Sequence, residues 1–92
     1  MTRSDKIEDK LKTALTADHV EVEDDSARHA GHAGASGGAG HFNVIVVAAQ
    51  FEGRNRVARH RAVYAALDDM MPTEIHALSA RTFTPAEWRG QS

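Results

Sequence analysis

Ninety-two residues, 41% hydrophobic and 26% charged, suit one small globular domain rather than a disordered chain. The formal net charge of -2 provides no overall field to gather nucleic acid, so such binding would need a local basic patch. With no cysteine, the chain can supply no disulfide, thiol nucleophile or thiolate metal site of its own. The start, Met1 to Lys6, leads into a charged helix without an apolar run, unlike a secretory signal. No stretch approaches the ~20 apolar residues of a spanning helix, and a cytoplasmic location without membrane contact is expected.

Ser4 is placed to cap a first helix, with Asp5 and Glu8 where the helix dipole favours negative charge. Ile7, Leu11, Ala14 and Leu15 share one side, and Glu8 precedes Lys12 at the favourable spacing for an exposed ion pair. From His19 to Asp24 the chain alternates, with Val20 and Val22 opposed to Glu21 and Glu23, as in a half-exposed strand near a sheet edge. The pattern then dissolves into Ser, Gly, Ala and His up to Gly40, a long Gly/His-rich stretch at about 26–40 that reads as a flexible loop.

Phe42 to Ala49 carries β-branched residues on both faces and predicts a central strand. Phe51-Glu52-Gly53 turns the chain, and from Asn55 to Met71 the period is helical, a short helix followed by a longer one. Val63, Leu67, Met70 and Met71 form its apolar stripe beside Tyr64, and Pro72 should end it. A third strand covers Ile75 to Thr82, with Ile75 and Ala77 on one face and His76, Leu78 and Ala80 on the other. Thr84-Pro85-Ala86-Glu87 is a capping box with proline at the first helical position, opening a last helix that carries Trp88. The order αββααβα predicts an α+β fold: strands one and two as a hairpin, strands two and three parallel, and helices on one face of a three-stranded mixed sheet.

Six histidines are the main chemical clue. Imidazole ligates zinc, copper or iron well, and His29, His32, His41 and His76 are the candidates, His29 and His32 close enough in sequence to chelate together. The second candidate surface is basic. Arg54, Arg56, Arg59 and Arg61 follow a turn into a helix, where guanidinium forks and backbone N–H groups suit phosphate. Gly53 is followed by Arg-Asn-Arg, so the G-x-x-G signature of a standard KH domain is missing. No nucleophile elbow and no P-loop lysine accompany the glycines, so the expectation is a protein that is not an enzyme.

In this order the motifs Phe51-Glu52-Gly53, Arg59-His60-Arg61, His76-Ala77-Leu78 and Thr84-Pro85 with Glu87-Trp88 resemble the BolA family. The likeness runs from about Ile7 to Gly90 and includes His29 and His41-Phe42. It implies a class II KH-like fold and a monothiol glutaredoxin as partner, with a [2Fe-2S] cluster shared between the two proteins and glutathione in a heterodimer. The isolated chain, a monomer, would hold no cluster stably. His76 matches the family's strand ligand and His29 its loop ligand, with His32 an alternative in a loop about three residues longer than usual. His41 and His60 read as structural, although His41 could approach the cluster. The function implied is an adaptor in iron–sulfur assembly, transfer or iron regulation. The alternative is a transcriptional regulator binding DNA through Arg54, Arg56, Arg59 and Arg61.

Overall fold

A computed structural model of the chain describes residues 2–25, 40–71 and 73–91. The expected loop up to residue 39, with His29 and His32, and the expected helix stop at Pro72 lie outside the described residues. The elements are helix α1 (Arg3–Leu15), strands β1 (His19–Asp24) and β2 (Gly40–Val47), helix α2 (Arg56–Ala66), strand β3 (Ile75–Phe83) and helix α3 (Pro85–Arg89). Single 3-10 turns at Ala49–Phe51 and Asp68–Met70 flank α2. The helical segment before β3 is therefore one α-helix between two tighter turns.

Helix α1 starts earlier than its serine suggested. Thr2 is the cap: its hydroxyl accepts from the Asp5 N–H at 3.1 Å, and the Asp5 carboxylate accepts from the Thr2 N–H at 3.2 Å. A reciprocal box needs a polar side chain three residues after the cap. Thr2 finds Asp5 there, whereas Ser4 would find Ile7. Helix α2 ends at Ala66, well before Pro72. Asp68 and Asp69 come next, and two carboxylates at the negative end of a helix dipole disfavour its continuation. They begin a 3-10 turn instead, where Asp69 pairs with Lys10 of α1 at 2.6 Å.

The sheet order is β1-β2-β3, with β1 antiparallel and β3 parallel to the central β2. Phe42, Val44 and Val46 of β2 face the helices, joined by Val20 and Val22, which register with Val46 and Val44. Ile7, Leu11 and Leu15 from α1 and Val63 from α2 close the core over them. Each such side chain contributes about 1.5–3 kcal/mol by leaving water.

Strand β3 departs from simple alternation. Ile75 is fully buried, yet Leu78 and Ala80 also pack on the core. Positions 75 and 78 would lie on opposite faces of a regular strand. A bulge resolves the conflict: Gly40 registers with Ile75 and His41 with Ala77, so His76 is the extra residue. Ile75 and Ala77 therefore do not share a face, as expected from alternation, because the added residue reverses the phase between them. At the other end of the sheet, Trp88 of α3 stacks on His19 at 5.3 Å and packs against Phe83.

Candidate functional site

His76 stands exposed at the bulge that opens β3. Bulges re-aim side chains, and this one lifts an imidazole out of the ladder between a fully buried Ile75 and the continuing strand. On the neighbouring strand the half-buried His41 brings its ring centroid within 5.2 Å of the His76 ring, the planes inclined at 52°. The Asp25 N–H donates to the His41 carbonyl at 2.8 Å, and Gly40 opens β2. Asp25 and Gly40, the described residues that flank positions 26–39 in the sequence, thus lie beside this pair. Among the described residues no group of three or more His, Asp or Glu side chains is arranged to hold a metal ion.

The arginine segment divides. The Arg59 side chain is largely buried and donates from Nη1 to Glu87 Oε1 at 2.7 Å and from Nη2 to Oε2 at 3.3 Å. Its Nε donates to the Arg54 carbonyl at 2.9 Å, and its guanidinium lies 5.8 Å from the centre of the buried Phe51 ring. A bidentate carboxylate pair occupies the fork that phosphate would use, so Arg59 leaves the expected anion-binding set. Arg59 instead holds Glu87 ionised, its carboxyl below the usual glutamate range, helped by the Thr84 N–H. Arg54, Arg56 and Arg61 are exposed and make no ion pair among the described residues.

Beside them runs the outer edge of β3. The Tyr64 hydroxyl donates to the Leu78 carbonyl at 2.9 Å, and His60 Nε2 lies 3.0 Å from the Ala80 carbonyl. A carbonyl only accepts, so His60 carries its proton on Nε2 in this contact. Residues 60 and 64 share a face of α2, and together they satisfy two edge carbonyls. Between helix and strand edge lies a groove of about 400 Å³ lined by Arg56, His60, Arg81, Thr82, Phe83 and Gln91. Arg81 is the basic residue of this groove that the sequence did not single out; its position on β3 depends on the register.

Imidazole is a good ligand for iron, and the chain, without cysteine, has no thiolate to add beside the His76 and His41 rings. Any thiolate at this site would come from outside.

Comparison with known proteins finds the family described as BolA-like protein over residues 11–87. SufE-like protein 1, chloroplastic/mitochondrial, of Arabidopsis thaliana is 43% identical over 91 residues, which are 94% of this chain and 24% of that protein. The chain thus spans about a quarter of that relative. The DNA-binding transcriptional regulator BolA of Escherichia coli is 38% identical over 86 residues, 94% of this chain and 79% of that protein. Among solved structures, BolA1 from Arabidopsis thaliana superposes with a TM-score of 0.80 at 42% identity, covering 95% of this chain and 96% of that one.

Proposed function

The chain belongs to the BolA-like family, and on that premise we propose a non-enzymatic adaptor that pairs with a monothiol glutaredoxin and shares ligation of a bridging [2Fe-2S] cluster. The role is iron–sulfur assembly, transfer or iron regulation in the cytoplasm. The observation that carries this reading is His76: an exposed imidazole fixed by a bulge next to a fully buried anchor, in a chain without cysteine. His76 would hold one iron of the cluster from this side, with His29, or His32 in its place, as the second imidazole by family likeness. The partner and glutathione would supply thiolates. A bound cluster would supply one-electron chemistry and iron and sulfide for transfer, at a potential raised by imidazole ligation. What the chain itself does is present the His76 imidazole on a folded sheet, so that little ordering cost falls on that side chain in binding.

The test is visible circular dichroism during titration of the protein into a cluster-loaded monothiol glutaredoxin with glutathione. A new spectrum saturating at equal amounts, altered in His76→Ala, is the expected result. No spectral change and no complex would remove the proposal.

A second reading has its own support. The Escherichia coli relative is described as a DNA-binding transcriptional regulator, and the exposed Arg54 and Arg56 here border grooves at the β3 edge, with the exposed Arg61 further along α2. Under this reading Arg54, Arg56 and Arg61 contact phosphates while Arg59 supports the fold. Binding should then weaken steeply with salt and fall when the three are neutralised together. Unchanged DNA affinity in the Arg54→Ala, Arg56→Ala, Arg61→Ala variant would dismiss it.

A further inference from the structure

The outer edge of β3 is unequal in what it offers. Successive residues of a strand turn their backbone groups to opposite sides. Phe83 turns its carbonyl inward, where it accepts from the Ala48 N–H at 3.0 Å. Leu78 and Ala80 turn theirs outward to α2, and by alternation the backbone of Thr82 faces outward too. The outward carbonyls of Leu78 and Ala80 are already engaged by the Tyr64 hydroxyl and by His60 Nε2. Helix α2 thus fills acceptors on this edge and leaves it richer in N–H donors. A peptide strand that adds to an edge needs acceptors for its own N–H groups, and here it would meet two carbonyls already taken. A phosphodiester strand carries acceptor oxygens and negative charge but no backbone donor, so it matches an edge of this kind.

The side chains agree with the backbone. The groove outside Ala80 and Thr82 is lined by Arg56, His60, Arg81 and Gln91, and no carboxylate among the described residues lines it. Arg56 and Arg81 are exposed and form no ion pair among the described residues. The Arg81 guanidinium lies 5.5 Å from the centre of the Phe83 ring, a contact that steadies it while leaving its N–H fork open. His60 adds a condition. Its Nε2–H is committed to the Ala80 carbonyl, so a second proton goes to Nδ1. Arg56 and Tyr64 stand one turn before and after it on α2, and Arg81 comes from β3. Arg59 and Glu87 hold each other, and the chain after α3 contributes the neutral Gln91. An imidazolium here repels the two free guanidinium groups, and a bound phosphate offsets that repulsion. Binding an anion in this groove therefore favours uptake of a proton by His60.

We infer that the groove between α2 and the β3 edge holds one phosphodiester strand of a nucleic acid, with Arg56 and Arg81 on its phosphates and His60 tightening the hold when it takes its second proton. This rests on the DNA-binding reading and deepens it. It adds Arg81 and His60 to the contact set, uses the outward N–H groups of Ala80 and Thr82 as further donors, and makes affinity rise as the pH falls. It also gives the His60 contact a second use, since the bond that covers the Ala80 carbonyl leaves Nδ1 as the titrating atom.

The experiment is fluorescence anisotropy with short labelled DNA, single-stranded and duplex, from about pH 8 to about pH 6 and over a range of salt. Phosphodiesters stay ionised throughout, so only the protein titrates. Wild type should bind about tenfold more tightly at the acid end. His60→Gln keeps an amide N–H for the Ala80 carbonyl but takes no proton, and it should lose most of that gain although the other five histidines remain. Arg81→Gln should weaken binding and lower the salt slope by about 1. Amide spectra check that both variants keep the fold. A wild-type affinity that does not change with pH, a gain retained in His60→Gln, or an unaltered slope in Arg81→Gln would each overturn the inference while leaving DNA binding through Arg54, Arg56 and Arg61 intact. Polyglutamate that displaces the DNA as well as an equal charge of unlabelled DNA does would also overturn it, by making an acidic peptide the occupant. No binding of either DNA form by wild type would sink the DNA-binding reading and this inference with it.

Discussion

Glu87 does two jobs with one carboxylate. It closes the capping box of α3, accepting from the Thr84 N–H at 2.8 Å, and it receives the Arg59 guanidinium. Both favour the ionised form, Arg59 most, which is why the carboxyl sits below its ordinary range in the folded chain. The unfolded chain, lacking these partners, binds the proton more readily. The stability gained is therefore present above the ordinary glutamate value and is lost as the pH falls through the folded one. Thermal melts of wild type and Glu87→Gln from about pH 6 to about pH 3 should converge as the solution becomes acidic. A gap between them that stays constant with pH would exclude the pair as a source of acid sensitivity. Gly53 poses a different residue-scale demand. It adopts φ +77°, while a Cβ there would meet no atom within 4 Å. Gly53→Ala should thus cost about 1–2 kcal/mol through backbone strain alone, read from denaturant unfolding. Of these residues the sequence revealed the types and the order. Arg59, Glu87 and Thr84 could each be named from motifs, but not that the helix arginine and the α3 carboxylate, 28 residues apart, would meet. His41 was named as a candidate ligand and as a strand-start histidine, but its nearness to His76 depends on a bulge that no local spacing encodes.

At the scale of elements, α2 and β3 depend on each other. An edge strand leaves backbone groups without partners, and natural sheets cover or blunt such edges. Here His60 and Tyr64 reach two carbonyls of β3 from one helical face. Tyr64→Phe should lower stability by about 0.5–1.5 kcal/mol in chemical denaturation. An unchanged midpoint would show that water satisfies Leu78 equally well. Periodicity placed all three strands and the parallel pairing correctly, because β-branched alternation and apolar runs answer directly to which face is buried. Element ends were harder to read. The start of α1 turned on which threonine or serine had an acid three residues on, and the end of α2 on carboxylates rather than on proline. The phase of β3 was misjudged because both Ile75 and Leu78 are core residues, and only an added residue lets a strand bury both.

On the scale of the whole molecule, a small core holds the sheet against two helices. Phe51 illustrates how little of it is spare: it is fully buried beneath Arg59 and belongs to the same cluster as Ile7, Leu11 and Leu67. Phe51→Ala should cost about 3–5 kcal/mol, a large part of a small domain's stability. Calorimetry showing less than about 1 kcal/mol would mean that the core refills the space. Lys6 to Glu74 at 3.0 Å and Lys10 to Asp69 at 2.6 Å tie α1 to the segment that leads into β3, but exposed pairs of this kind contribute little each. The result is a sheet whose second and third strands carry His41 and His76 near their starts, with a groove bearing arginines along the β3 edge.

The most direct measurement of the central claim is the visible circular dichroism titration with cluster-loaded monothiol glutaredoxin and glutathione, wild type beside His76→Ala. The account predicts a distinct spectrum reaching its limit at one protein per partner, and its loss or alteration when His76 is removed. An identical spectrum for wild type and His76→Ala, or none at all on mixing, would contradict ligation through the bulge histidine.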